Sequence, residues 1–211
     1  MNSLVITDTD ARSDSRRAAP HITLLSVQVG RPRKVRWRGQ LVSTGIFKEP
    51  VASRIMLHRF NLEGDQQADL TVHGGTDKAV YVYPSEHYPL WQAEFPGMRL
   101  AYGAFGENFT TKGLDESSVH LGDQFRIGDA IVEVTQARMP CYKLAIRFKR
   151  PDMPKRFHAS GRCGFYLAVL REGEVGAGDV WERIARKDDG ISVIESYRLL
   201  TGYASKKRAN V

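Results

Sequence analysis

Apolar and polar positions alternate in short blocks along this chain. Runs rich in Val, Ile, Phe and Tyr occur at Ile22–Val29, 53–57, 79–83, Gln124–Ile127, 131–135 and 165–170, with Gly, Pro and Asp between them. Blocks of this kind, punctuated about every 8–12 residues, predict β-strands of a barrel or sandwich. Gly122-Asp123 and Gly128-Asp129 bracket one run, so 119–135 reads as a hairpin. Helical spacing is sparser. The segment 84–95 opens with Pro84 at a first-turn position and sets Pro84, Tyr88, Trp91 and Phe95 on one face. A short helix is predicted over 142–149. Another over 191–200 repeats Ile191, Ile194, Tyr197 and Leu200 and stops near Gly202. The fold class is therefore mostly β with a few helices, a β-barrel followed by a short C-terminal helix.

Length and charge refine this picture. A chain of 211 residues suits one sizeable domain with short extensions. Residues 1–20 are polar and aperiodic and read as a disordered leader, 21–186 as the barrel, and 187–211 as linker, amphipathic helix and a basic tail at Lys206-Lys207-Arg208. The leader has no apolar core of a signal peptide, and no stretch approaches the roughly 20 apolar residues of a membrane span. A cytoplasmic location with no membrane partner is the expectation. The net charge of +7, from 31 Lys and Arg against 24 Asp and Glu, favours anionic partners without choosing among them.

Four places could carry chemistry. Cys141 follows Pro140 at the end of a strand and opens a short helix, with Arg138 and Lys143 nearby. That setting favours a thiolate, which is a soft metal ligand and a nucleophile. A buried structural thiol fits the same residues, and is the simpler reading for Cys163 between Gly161-Arg162 and Gly164. Second, His73-Gly74-Gly75-Thr76-Asp77-Lys78 pairs two permissive glycines with titratable groups. Its amides suit an anion, although a plain connecting turn would look alike. Third, Gly103-Ala104-Phe105-Gly106-Glu107-Asn108 offers a carboxylate and an amide to a polar heterocycle, or simply turns a barrel corner. Fourth, Arg31, Arg33, Lys34, Arg36 and Arg38 interleave with Val35 and Trp37, a solvated basic face or a nucleic-acid contact with a single aromatic platform. His87, His120 and His158 show no metal-ligand spacing.

Taken in order, His73-Gly74-Gly75-Thr76-Asp77-Lys78-Ala79, Tyr83-Pro84-Ser85-Glu86-His87-Tyr88, Gly103-Ala104-Phe105-Gly106-Glu107-Asn108 and Arg138-Met139-Pro140-Cys141-Tyr142-Lys143-Leu144 resemble the MOSC domain, the molybdenum cofactor sulfurase C-terminal domain. The resemblance is to its YiiM-like branch and spans about residues 22–184. It implies a MOSC-type β-barrel and a cleft for the molybdenum cofactor, a pyranopterin-bound molybdenum, with Cys141 as metal ligand. Asn108 and Arg138 would hold the cofactor, Lys48 would meet its phosphate, and His73 and Asp77 would line the same mouth as catalytic candidates. Gly74, Gly75, Lys78, Glu107 and Lys143 complete the cofactor-binding set. The same resemblance carries pyridoxal phosphate binding as a family-level property. One departure stands out: the branch continues into a three-helix C-terminal module, whereas here the helix at 191–200 and a short tail follow the barrel.

The leading expectation is a molybdenum-dependent oxidoreductase that reduces N-hydroxylated compounds, such as hydroxylaminopurine bases, in detoxification. With no dinucleotide fingerprint and no iron–sulfur cysteine set, its electrons would come from separate donor proteins. A sulfur or cofactor carrier without turnover ranks second, and a nucleic-acid-binding module last. The oligomeric state is open, a homodimer included.

Overall fold

The run at 22–29 becomes β1 (Ile22–Val29), and this strand closes the barrel. Along the chain follow β2 (Arg33–Trp37), β3 (Gln40–Thr44), β4 (Glu49–Val51), β5 (Ile55–Leu57), β6 (Val80–Pro84), α1 (His87–Glu94), β7 (Phe109–Lys112), β8 (Gln124–Ile127) and β9 (Ala130–Ala137). Then come α2 (Lys143–Phe148), α3 (Met153–Ser160), β10 (Phe165–Arg171), β11 (Gly173–Val175), β12 (Val180–Ala185) and α4 (Val193–Thr201). The computed structural model describes residues 21–68 and 74–202. The expected leader at 1–20 and the basic tail at 206–208 lie outside the described residues, as does His73.

Seven strands close a barrel in the order β12-β8-β9-β10-β6-β7-β1, with Ile22 opposite Trp181 sealing the ring and β4 pairing with the last residues of β1, from Val27 to Val29. Closure leaves no free edge among these strands. Neighbours run antiparallel except β6 and β7, which are parallel and joined through α1. β8 and β9 form the expected hairpin, with Ile127 opposite Ala130. Alternation explains the burial: Ala130, Val132 and Val134 of β9 face the interior with Phe125, Phe165 and Leu167. Two small sheets lie apart, β5 with β11 and β2 with β3.

One end of the barrel is covered by aromatic packing. Trp91 of α1 stacks on Phe157 of α3 at 6.2 Å, and Tyr83 stacks on Phe105 at 4.4 Å. The indole Nε1 of Trp91 donates to the Tyr83 hydroxyl at 2.7 Å, so the polar handles of both rings are satisfied inside the core. Pro84 ends β6 and does not open the helix, which begins at His87. The sequence reading also passed over α3, whose buried residues are Met153 and Phe157 alone. α4 is capped at both ends: Ser192 and Glu195 form a reciprocal capping box, and Gly202 takes the left-handed conformation at its C-terminus. Val193 and Tyr197 bury one side of it, and Tyr197 meets His158 of α3 at 3.0 Å. Among the described residues no helix is long and apolar enough to cross a membrane.

Candidate functional site

Where β9 ends, the chain turns through Arg138-Met139-Pro140-Cys141-Tyr142 before entering α2. This turn forms one wall of a cleft of about 630 Å³, its open mouth included. Arg138, Cys141 and Lys143 line that wall, with Tyr81 and Tyr166 from the neighbouring strands. Opposite stand Lys48, Asp65 and Asn108, and Gly74 and Lys78 border the mouth. Among the described residues the lining thus carries four cations, Lys48, Lys78, Arg138 and Lys143, and one carboxylate, Asp65. Residues this far apart in sequence converge because β9, β10, β6 and β7 are consecutive staves: the end of β9 lies beside Tyr166 near the start of β10, Tyr166 pairs with Tyr81 near the start of β6, and Asn108 leads into β7 next to it.

Arg138 is 5% exposed, and no carboxylate among the described residues pairs with its guanidinium. Its Nη1 donates to the Met139 carbonyl at 3.0 Å, and the group lies over the rings of Tyr81 and Phe157 at 5.2 and 5.1 Å. Burial raises the Tyr81 and Tyr166 hydroxyls above their ordinary range and Arg138 opposes that rise, so both phenols stay neutral. A desolvated cation without a counter-charge is costly, and an anion entering the cleft would relieve it. Cys141 is half-buried on the same wall. Cys163, by contrast, is fully buried in the core, and burial pushes its thiol well up.

The opposite wall is held by Asp65. Its Oδ1 accepts from the Lys48 ammonium and from the Gly30 amide, and its Oδ2 accepts from Asn108 Nδ2 at 3.0 Å. Burial lowers the Lys48 ammonium, and Asp65 works against that by charge and hydrogen bond. Asn108 spends its amide on the protein: Nδ2 also donates to the Gln28 carbonyl at 3.2 Å, and Oδ1 accepts from the Tyr81 amide at 3.2 Å. Both N–H groups are engaged, so Asn108 braces the cleft. Gly103 has φ +87, and a Cβ there would stand 2.9 Å from the Lys48 carbonyl oxygen. Its bare backbone lets the 103–106 turn press against the segment that carries Lys48 just ahead of β4.

Of the residues singled out from sequence, Lys48, Gly74, Lys78, Asn108, Arg138, Cys141 and Lys143 meet at this cleft. Glu107 faces the core instead. Its Oε1 accepts from the Tyr88 hydroxyl, from the Gly103 amide at 2.7 Å and from Thr110 Oγ1 at 3.1 Å, and its Oε2 accepts from the Phe105 amide at 3.0 Å. Asp77 borders a separate, more open depression beside Gln124, Glu133 and Thr135, and its carbonyl accepts from Thr135 Oγ1 at 2.6 Å. Gly75 is exposed outside the lining. Sequence reasoning missed Asp65, Tyr81 and Tyr166. The tyrosines sit on recognised strands, whereas Asp65 follows Gly64 in a polar turn with nothing local to mark it.

Among the described residues no group of three or more His, Cys, Asp and Glu side chains is arranged to hold a metal ion. A metal bound through Cys141 would have to bring most of its ligands on an organic scaffold. The cleft suits such a group, because it combines one soft thiol with several cations that match anionic substituents.

Comparison with known proteins gives a consistent result. A family model described as the MOSC domain matches residues 69–182. The chain is 48% identical over 171 residues to "Uncharacterized protein YflK" of Bacillus subtilis (strain 168), covering 81% of this chain and 77% of that protein. It is 36% identical over 180 residues to a protein named "Reductase" from Gibberella moniliformis, covering 84% of this chain and 32% of that much longer protein. Among solved structures, YiiM from Geobacillus stearothermophilus superposes with a TM-score of 0.70 at 34% identity, covering 90% of this chain and 91% of that one.

Proposed function

This chain belongs to the MOSC domain family, in its YiiM-like branch, and we propose that it is a molybdenum-cofactor-dependent reductase of N-hydroxylated compounds. The observation that carries this reading is the buried Arg138, with no counter-charge among the described residues, beside Cys141 on the wall of one open cleft. The reductase named among its relatives supports the reaction class.

The residues divide the work. Cys141 Sγ would be the metal ligand, since a thiolate is the softest donor on the lining. Arg138, Lys143 and Lys78 would hold the anionic parts of the cofactor, and Lys48 would meet its phosphate while Asp65 fixes the ammonium in place. When bound, the group supplies a two-electron redox centre. Converting N–OH to N–H consumes two electrons and two protons and releases water. Tyr81 and Tyr166 stay neutral beside Arg138 and so leave its charge free for the ligand. The open mouth admits the substrate, and bulk solvent supplies the protons.

Protein purified from a host that makes the cofactor should contain about one molybdenum per chain and reduce 6-hydroxylaminopurine with an artificial reductant. Cys141→Ala should lose both. Stoichiometric molybdenum retained in that variant would overturn the ligand assignment. A cyanolysable sulfur on Cys141 without molybdenum would make the protein a sulfur carrier instead.

A further inference from the structure

The β2–β3 hairpin stands apart from the barrel. It pairs only with itself, from Arg33 opposite Thr44 to Trp37 opposite Gln40, and its feet are Gly30, whose amide donates to Asp65, and Thr44, which lines the cleft. Arg31, Arg33, Lys34, Arg36 and Arg38 are all exposed, and no acidic residue occurs between His21 and Lys48. The arm alone therefore carries five positive charges in a chain whose net charge is +7. None of the five forms an ion pair with a described residue. Elsewhere Arg54, Arg126, Arg150, Arg156, Arg162 and Arg186 each face a carboxylate.

The register gives the arm two faces. Val35, Trp37 and Val42 share the half-buried one, with Arg33 lying 3.5 Å from the centre of the Phe47 ring and pinning the foot beside the cleft. Lys34, Arg36, Leu41 and Ser43 share the outer one, where Leu41 is 65% exposed between the cations. Two cations around one apolar anchor match a small, mostly electrostatic protein interface, of the size that transient electron-transfer pairs use. Nucleic acid fits less well, since the arm's single aromatic, Trp37, is half-buried on the inner face and carries Arg38 over its ring at 5.9 Å.

We infer that the outer face of the β2–β3 arm docks an acidic electron-carrier protein and brings its redox centre to the cleft mouth. The inference rests on the reductase reading, which needs two electrons from outside the chain for each N–OH reduced. A one-electron carrier such as a ferredoxin would dock twice per turnover, being oxidised each time as the cleft is reduced.

The test uses the full chain, an acidic [2Fe–2S] ferredoxin, an acidic flavodoxin and basic cytochrome c as probes, with binding read by calorimetry at low and high salt. Wild type should bind at least one acidic carrier at low salt, lose it at high salt and ignore cytochrome c. Lys34→Glu/Arg36→Glu should weaken that binding about tenfold or more, and Leu41→Ser by a smaller factor. The gentler Lys34→Gln/Arg36→Gln should fall between, which guards against a misfolded arm. All variants should keep wild-type molybdenum content and dye-driven reduction. Failure of both acidic carriers to bind, binding indifferent to the charge reversals, or binding of a DNA oligonucleotide through the same residues in place of the carriers would overturn the docking. Loss of dye-driven reduction in the wild type would instead sink the reductase reading, and the calorimetry would still judge the arm.

Discussion

The two walls of the cleft are built on opposite terms. On the Lys48 side the polar groups are matched: ammonium with carboxylate, amide with carboxylate, and the second amide N–H with a backbone carbonyl. On the Cys141 side a buried guanidinium has no counter-charge among the described residues, and the flanking Met139 and Tyr142 are exposed. The first wall mainly keeps shape, with the Lys48 N–H groups that Asp65 does not take left for the cofactor's phosphate, and the second holds most of the unspent interaction. This contrast is what a binding site needs, because a group already satisfied by the protein has little to gain from a ligand. Breaking each wall should therefore have opposite consequences for stability.

The largest effect is expected on the matched wall. Asp65→Asn removes the carboxylate from a buried ammonium and should cost about 3–5 kcal/mol of stability, measured by denaturant unfolding. Lys48→Met in the same chain should recover part of that loss, because the pair disappears together. A double variant no more stable than Asp65→Asn would show that Asp65 acts through Gly30 and Asn108 rather than through Lys48.

On the unmatched wall the sign reverses. Arg138→Met keeps much of the volume and removes a buried charge that no described carboxylate pairs with, so the cofactor-free protein should gain about 1–3 kcal/mol while its molybdenum content falls tenfold or more. A variant that loses stability and keeps its metal would mean that Arg138 is a structural cation held by its aromatic neighbours. Between the walls, Gly103→Ala tests their spacing. With φ at +87 and the Lys48 carbonyl 2.9 Å from the added Cβ, it should cost about 1–3 kcal/mol and lower cofactor occupancy together with stability.

The two walls also differ in how far they can be read from sequence. Arg138, Cys141 and Lys143 are neighbours in one turn, so their convergence is written locally and the thiol's setting is visible at once. The Lys48 wall is assembled from connecting segments distant in sequence: Asp65 meets Lys48 across 17 positions and Asn108 across 43, and no local pattern announces either contact. The same distinction runs through the fold. The strands at 22–29 and 124–127 follow from their apolar runs, and the existence of α4 from its local spacing. Ile191 and Leu200 of the face read from sequence are nevertheless exposed, and Val193, Ser196 and Tyr197 are the buried side. α3 escapes notice because Met153 and Phe157, a single apolar pair four apart, are swamped by the lysine, arginine and histidine around them, and only packing against Trp91 reveals the helix. Glu107 and Asn108 show the limit most sharply, since adjacent residues point to opposite sides of a chain entering β7. The motif containing both says nothing about which one reaches the cleft.

Glu107 gives the smallest effect, and the one most dependent on pH. It lies beyond the Lys48 wall in a shell of neutral donors, with Tyr88, Gly103, Phe105 and Thr110 around the carboxyl. Burial raises its pKa, and hydrogen bonds from Tyr88 and the Gly103 and Phe105 amides offset only part of that rise. An acid whose pKa is higher folded than unfolded holds its proton longer in the fold. Its contribution is complete below the unfolded value and declines as pH rises through the folded one. Glu107→Gln removes this titration but turns one N–H toward a donor, at a cost of about 1 kcal/mol. The variant should therefore be less stable than wild type near pH 4, and the gap should narrow or close by about pH 7. Unfolding free energies at the two pH values decide the matter. A gap that widens with pH would mean that the four donors hold Glu107 as a carboxylate, making the core beside the cleft anionic and giving Lys48 a second counter-charge.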